Sequence, residues 1–405
     1  MKSRILLYIF VFLFCLFFLT GCTSKENVVI SENLVEEGLE LYEERYYVDA
    51  VEKFVEALEK YPANYEAYVG LVDVFLEKGW FEEAEDLAKE AFSRVNTGQA
   101  ASIYSMVGEG YYNVNEYEKA KEMYEKAVKA DGDNEEGRIG LAKTNIQLGD
   151  VNQARKALGS KGESDEFLLL ASYLTLDDWE EGVKKARDIK DENLRKTLEE
   201  IYDIDDEDVL YKNTSLSKEY INAGLPFLAI ELLNKQSEEI EQYPDAQYFL
   251  GKAYLDYGEY DKALEKLSSA ISLEMDDDDL YLNLARAYLF SENIEKSVEN
   301  YEVILPYFIE EYIGVLLDND MEEKAEGVLK ELLEEEDKFE LNILLSSVFY
   351  KQDELEEMSE VLAKLEEETD LSQSETRDLV RCRLLYLVEN IDDVLFEEIP
   401  STQYP

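Results

Sequence analysis

Residues 101–134 read ASIYSMVGEGYYNVNEYEKAKEMYEKAVKADGDN. Within this stretch Tyr104, Val107, Gly108 and Tyr111 recur at intervals of three and four, and so do Ala120, Tyr124 and Ala127. That is the period of a helix with one buried face. The two periodic runs are separated at Asn115-Glu116, where an asparagine suits the residue that closes a helix. The stretch therefore predicts two helices joined by a tight turn. Two helices approach closely only where a glycine or alanine faces the neighbour, and aromatic side chains fill the space beside it. Gly108, Ala120 and Ala127 supply the first requirement; Tyr104, Tyr111 and Tyr124 supply the second.

Outward from this stretch the pattern repeats. Ala50, Ala84, Ala120 and Ala154 are separated by 34, 36 and 34 residues, and Ala229, Ala263 and Ser297 by 34 and 34. In 31–64 the matching places hold Leu34, Gly38, Leu41, Ala50, Phe54, Ala57 and Pro62; in 244–277 they hold Gln247, Leu250, Gly251, Tyr254, Ala263, Leu267 and Ala270. Gly79-Trp80, Gly149-Asp150 and Gly258-Glu259 mark the turns inside other pairs, and Pro62 and Pro244 fall in the gaps between pairs. This pattern resembles the tetratricopeptide repeat, with small residues at places 8, 20 and 27 of the unit. The resemblance implies an all-α, right-handed superhelical array of antiparallel helix pairs, about ten units long, five of them clear. Absent strand signals and only 6 prolines and 19 glycines in 405 residues agree with helices throughout.

Regularity fails in two places. From Ala154 to Ala229 there are 75 residues, room for two eroded units with a little excess, and Trp179 marks a turn there. This segment, 161–210 with Gly159 and Gly162 at its edge and the acidic run Asp203 to Asp208, reads as degenerate repeats or a hinge between repeats at 34–160 and 211–371. From Ser297 to Ala325 the spacing shrinks to 28, with Pro306 expected to start the next helix. Units near 306–338 and 339–371 keep only the helical period, and 372–405 reads as a capping helix and tail.

The start of the chain reads as an address. Lys2 and Arg4 precede an apolar run from Ile5 to Leu19, 15 residues where a membrane-spanning helix needs about 20. Leu19-Thr20-Gly21-Cys22 then resembles the lipobox of bacterial lipoproteins. That resemblance implies cleavage after residue 21, diacylation of the Cys22 thiol and attachment to the outer face of a cell membrane, with 22–33 as a lipidated polar tether. Cys382 is expected in the core.

Composition narrows the chemistry. There are 94 acidic and 40 basic residues, a formal net charge of −54, and no histidine. So acidic a chain repels phosphate backbones, which argues against nucleic acid, and the missing imidazole removes histidine acid–base chemistry and imidazole metal sites. No phosphate-cradling glycine loop occurs and no cofactor is expected. Asp131-Gly132-Asp133-Asn134-Glu135 and Asp276 to Asp279 precede helix starts, where carboxylates cap; they lack the ligand spacing of a calcium loop.

In proteins of this repeat family ligands lie on the concave face made by the first helix of each unit. Places 5, 9 and 12 of that helix correspond to Ser105, Glu109 and Tyr112; Lys143 and Ile146; Tyr248, Lys252 and Leu255; and Leu282, Arg286 and Leu289. Of these, Tyr112, Lys143, Tyr248, Lys252 and Arg286 are the candidate partner-binding residues, beside the lipidated Cys22. The resemblance implies a non-enzymatic scaffold that takes exported proteins or peptides in its groove, with an envelope-structural or self-assembling role as the alternative. It fixes no oligomeric state.

Overall fold

A computed structural model describes residues 24–366 except 177, 205–207, 237 and 306, together with 372, 375, 376, 379, 380, 382 and 383. Cys22 and the N-terminal address, Pro306 and most of the expected capping helix lie outside the described residues.

The described residues form 21 α-helices and no strand. They run as α1 (Lys25–Glu43), α2 (Tyr47–Lys60), α3 (Tyr65–Glu77), α4 (Phe81–Phe92), α5 (Thr97–Asn113), α6 (Tyr117–Ala130), α7 (Glu135–Gln147) and α8 (Val151–Leu158). Next come α9 (Asp165–Tyr173), α10 (Trp179–Ala186), α11 (Glu192–Tyr202), α12 (Val209–Asn222) and α13 (Pro226–Asn234). The remainder are α14 (Pro244–Asp256), α15 (Tyr260–Ser272), α16 (Asp278–Phe290), α17 (Ile294–Val303), α18 (Ile309–Asp318), α19 (Glu322–Glu335), α20 (Phe339–Lys351) and α21 (Leu355–Glu366). Ten helix pairs result, with α11 standing between the fifth and sixth without a mate. The 75-residue gap thus holds four helices, α9 to α12, the number two units need, arranged as the α9–α10 pair, the unmated α11 and the first helix of the α12–α13 pair.

By Cα proximity the chain divides into two compact units, Met1–Glu241 and Gln242–Pro405. In the first, the second helix of each leading pair buries its small residue: Ala50, Ala84, Ala120 and Ala154 are all fully buried. Phe54 is wedged where the chain has no side chain to oppose it. A Cβ at Gly38 would stand 2.6 Å from Phe54 Cε1, and one at Gly70 would stand 2.5 Å from Phe54 Cζ. Phe81 stacks on Tyr111 with ring centroids 5.2 Å apart. In the second unit a separate core runs from Leu282 to Leu365 and takes in Leu379 and Cys382.

Turn geometry sets the register. A left-handed residue lies five positions before the small residue of the second helix at Gly79, Asn115, Gly149, Gly224 and Gly258. The same place is left-handed at Arg45, Glu292, Asp320 and Asp353, where the sequence shows no glycine. Six of the ten first helices, α1, α3, α5, α7, α9 and α16, start on side-chain caps. Asn64 accepts from Ala67 N at 3.2 Å and Asn134 from Gly137 N at 2.7 Å, and Asp277 accepts from Asp279 N at 2.9 Å.

One boundary moves. Residues 25–33, assigned to the tether, form the first turns of α1. Ser24 caps that helix by accepting from Asn27 N at 3.1 Å. Ser31 is fully buried and donates to Ala57 O at 2.7 Å, so this polar-looking segment packs on α2. Among the described residues no helix is long and apolar enough to cross a membrane.

Candidate functional site

In the first unit successive first helices pack on one another, α1 on α3, α3 on α5 and α5 on α7. Their shared face holds the places singled out from the sequence. Between α5 and α7 lies a cleft of about 310 Å³ whose lining includes Ser105, Glu109, Tyr112, Tyr124, Glu136, Lys143 and Glu166. Two candidate partner-binding residues, Tyr112 and Lys143, are therefore brought together, with Ser105 and Glu109 beside them. Lys143 Nζ is ion-paired to Glu166 at the start of α9. The Tyr112 hydroxyl accepts from Gln147 Nε2 at 3.0 Å, and its ring meets Tyr117 edge-on at 5.3 Å. Burial pushes the Tyr112 hydroxyl above its ordinary pKa, with the Gln147 bond pulling the other way.

Ser105 is buried and donates to Asn134 Oδ1 at 3.0 Å, so it braces the cap of α7. Ile146 is fully buried. The helix carrying it is covered on an unexpected side, because α13 packs against α7. Four polar residues are buried on α7, and each makes at least one bond, although Arg138 Nε and Asn145 Oδ1 have no hydrogen-bond partner among the described residues. Arg138 Nη1 reaches Leu158 O at 2.8 Å, Thr144 reaches Gly140 O at 2.7 Å, Asn145 reaches Leu141 O at 2.8 Å, and Gln147 reaches Gly224 O at 2.7 Å.

The second unit holds Tyr248, Lys252 and Arg286. Tyr248 is buried, not groove-facing, because α16 packs over its ring and Asn283 Nδ2 donates to its hydroxyl at 3.3 Å. Leu255 and Leu282 are likewise core residues. Arg286 forks onto Glu311 with two bonds of 2.7 Å, and Tyr301 donates to the same carboxylate at 2.5 Å. The arginine holds the Glu311 carboxyl below its usual range. Arg286 thus fastens α16 to α18. Lys252 stays half-buried on α14 near Asp256; desolvation pushes the Asp256 carboxyl up, with Lys252 and Arg286 opposing it.

A cavity of about 790 Å³ between α10, α11 and α12 was not legible as a site. Trp179 and Tyr202 line it with several carboxylates, but Lys212, almost fully buried, already places its ammonium 4.2 Å from the centre of the Trp179 ring. Its aromatic surface is engaged within the chain, so the smaller α5–α7 cleft is the better candidate for a partner.

Comparison with known proteins agrees with the helix pairs. Residues 35–95 and 114–161 match family profiles described as tetratricopeptide repeat, and residues 251–289 match one described as TPR repeat. The chain carries tetratricopeptide repeats over these residues. Small glutamine-rich tetratricopeptide repeat-containing protein 2 of Mycosarcoma maydis is 29% identical over 144 residues, 35% of this chain. The match spans 40% of that relative's length. Among solved structures, a tetratricopeptide repeat protein from Parabacteroides merdae is 16% identical with a TM-score of 0.32, covering 71% of this chain and 97% of its own. The Cut9–Hcn1 hetero-tetramer of the APC/C is 15% identical with a TM-score of 0.33, covering 89% of this chain and 90% of its own.

Proposed function

We propose that this chain is a non-enzymatic scaffold, anchored by lipid at Cys22 on the outer face of a cell membrane, that binds exported proteins or peptides on the face made by its first helices. The observation carrying this reading is the α5–α7 cleft, where Tyr112 and Lys143 converge from neighbouring repeats on one surface of mixed polar and aromatic lining. Tetratricopeptide repeats generally bind peptides or proteins, and the matched stretches at 35–95 and 114–161 flank and include this cleft's helices. The anchor rests on Leu19-Thr20-Gly21-Cys22 behind a short apolar run. Two acyl chains hold a protein on a bilayer where one does not.

The test is cross-linking mass spectrometry on intact cells, comparing the protein with a Cys22→Ala variant. A few partners enriched only with the anchored form, and cross-linked near Lys143 or Lys252, are the expected result. Links to itself alone, or none above the variant, would replace the scaffold with an envelope-structural role. Recovery of both forms in the soluble fraction would remove the anchor.

A further inference from the structure

The α5–α7 cleft carries a net negative charge. Its lining brings three carboxylates, Glu109, Glu136 and Glu166, to a wall formed by Tyr112, Tyr124 and Ile139, and it contains one ammonium, Lys143. That ammonium is already held by Glu166. Neither Glu109 nor Glu136 makes an ion pair among the described residues. On the preceding first helix, Asp73 lies at the place equivalent to Glu109, 36 residues earlier, the same shift that separates Ala84 from Ala120. No ion pair reaches Asp73 either, and its carboxyl is pushed up first by burial and then by Glu77.

These features select between ligand classes. A partner's carboxylate entering here meets two uncompensated negative charges and a lysine already paired, so like-charge repulsion rejects it. A cation meets the exposed carboxylates of Glu109 and Glu136 and, on the wall, the partly open ring of Tyr112, whereas the Tyr124 ring is already packed against Gly108 and Gly140; aromatic faces attract ammonium and guanidinium groups. We propose that the α5–α7 cleft receives a lysine or arginine side chain from a basic, extended segment of a partner protein, with Glu109 and Glu136 as its counter-charges. This rests on the scaffold reading above and adds the chemistry of the partner.

The whole chain is acidic, so mere attraction of cations must be separated from binding in the cleft. The probe is a library of short random peptides displayed and selected on the full mature chain at physiological salt. Recovered peptides are then titrated by fluorescence anisotropy against three variants. Glu109→Gln/Glu136→Gln removes the cleft charges, and Glu118→Gln/Glu125→Gln removes the same charge from exposed positions on α6. Tyr112→Ala alters the wall. The expected result is enrichment of lysine and arginine, and binding about tenfold weaker for the cleft pair with little change for the α6 pair. Equal losses for the two pairs mean diffuse attraction and overturn the proposal. Neutral or acidic peptides that depend on Tyr112 but not on Glu109 and Glu136 also overturn it, and they leave the scaffold reading standing. Recovery of no binding peptide, or only of peptides insensitive to all three variants, overturns both.

Discussion

Gln147 reaches across 77 residues of sequence to Gly224: its Nε2 donates to the Gly224 carbonyl at 2.7 Å. The same nitrogen donates to the Tyr112 hydroxyl at 3.0 Å. One side chain therefore ties α5, α7 and the turn between α12 and α13 together. On α7, which it anchors, Ile146, equivalent in place to Tyr112, is fully buried, whereas Tyr112 lines the cleft.

Gln147→Ala removes both bonds and is expected to cost about 1–2 kcal/mol. The loss should be local. Amide hydrogen exchange should quicken at the α12–α13 turn and along α13, with α1 to α4 unaffected. Unchanged protection around Gly224 would mean that packing of α13 alone, and not the amide, closes the first unit.

Close approach of helices depends on glycine at a few points. Gly70→Ala would drive a methyl group into the ring of Phe54, which is fully buried and also pressed by Gly38. A loss of about 1–3 kcal/mol is expected. Gly314 and Gly327 lie within α18 and α19 and would meet nothing within 4 Å. Alanine there should raise stability by about 0.5–1 kcal/mol through helix propensity. Thermal melts of the three variants decide the matter, and a destabilised Gly314→Ala would show that the second unit packs more tightly there than the structure has it.

The left-handed turn residue offers a complementary pair. Gly258 has φ +86° and Glu292, at the same place one unit on, has φ 59°. Gly258→Ala should destabilise by about 1 kcal/mol, since a Cβ is disfavoured in that conformation. Glu292→Gly relieves the same strain and should be neutral or stabilising by up to about 1 kcal/mol. If Glu292→Gly instead lowers Tm by several degrees, the glutamate side chain contributes something at that turn beyond its backbone.

That place also shows why legibility faded along the chain. Gly79, Asn115, Gly149 and Gly258 could be recognised as turns because those residue types favour φ above zero. Arg45 and Glu292 adopt the same conformation with no such preference, because tertiary packing overrides local propensity. Small residues behaved alike: Ala50 to Ala154 gave the period, whereas the last pair puts Met358 at that place, fully buried. The all-helical repeat architecture was thus readable from periodicity. Burial of Ile146 and Tyr248 was not, since each depends on which neighbouring helix covers it. The fold-back of α13 on α7 has no repeat-level signal at all, being carried by Gln147, Gly224 and Phe227, which stands 3.4 Å from a Cβ at Gly149.

The acidity of the chain should appear as an unusual pH dependence. Asp73, Glu90 and Glu219 are half-buried, and burial raises each carboxyl above its ordinary range. The folded chain therefore holds protons that the unfolded chain has released, so stability falls as pH rises from the ordinary carboxylate range toward neutrality. Glu77, Glu85 and Glu311 are shifted down, and what they contribute is lost only at lower pH. Tm at constant ionic strength should peak on the acid side of neutrality. Glu90 is the sharpest probe, because neither of its buried oxygens has a hydrogen-bond partner. Glu90→Gln should raise Tm at pH 7 and flatten the rise on acidification. A wild-type Tm that climbs steadily to pH 8, or a Glu90→Gln variant less stable at pH 7, would show that the Arg94 guanidinium beside Glu90 outweighs desolvation of its carboxylate.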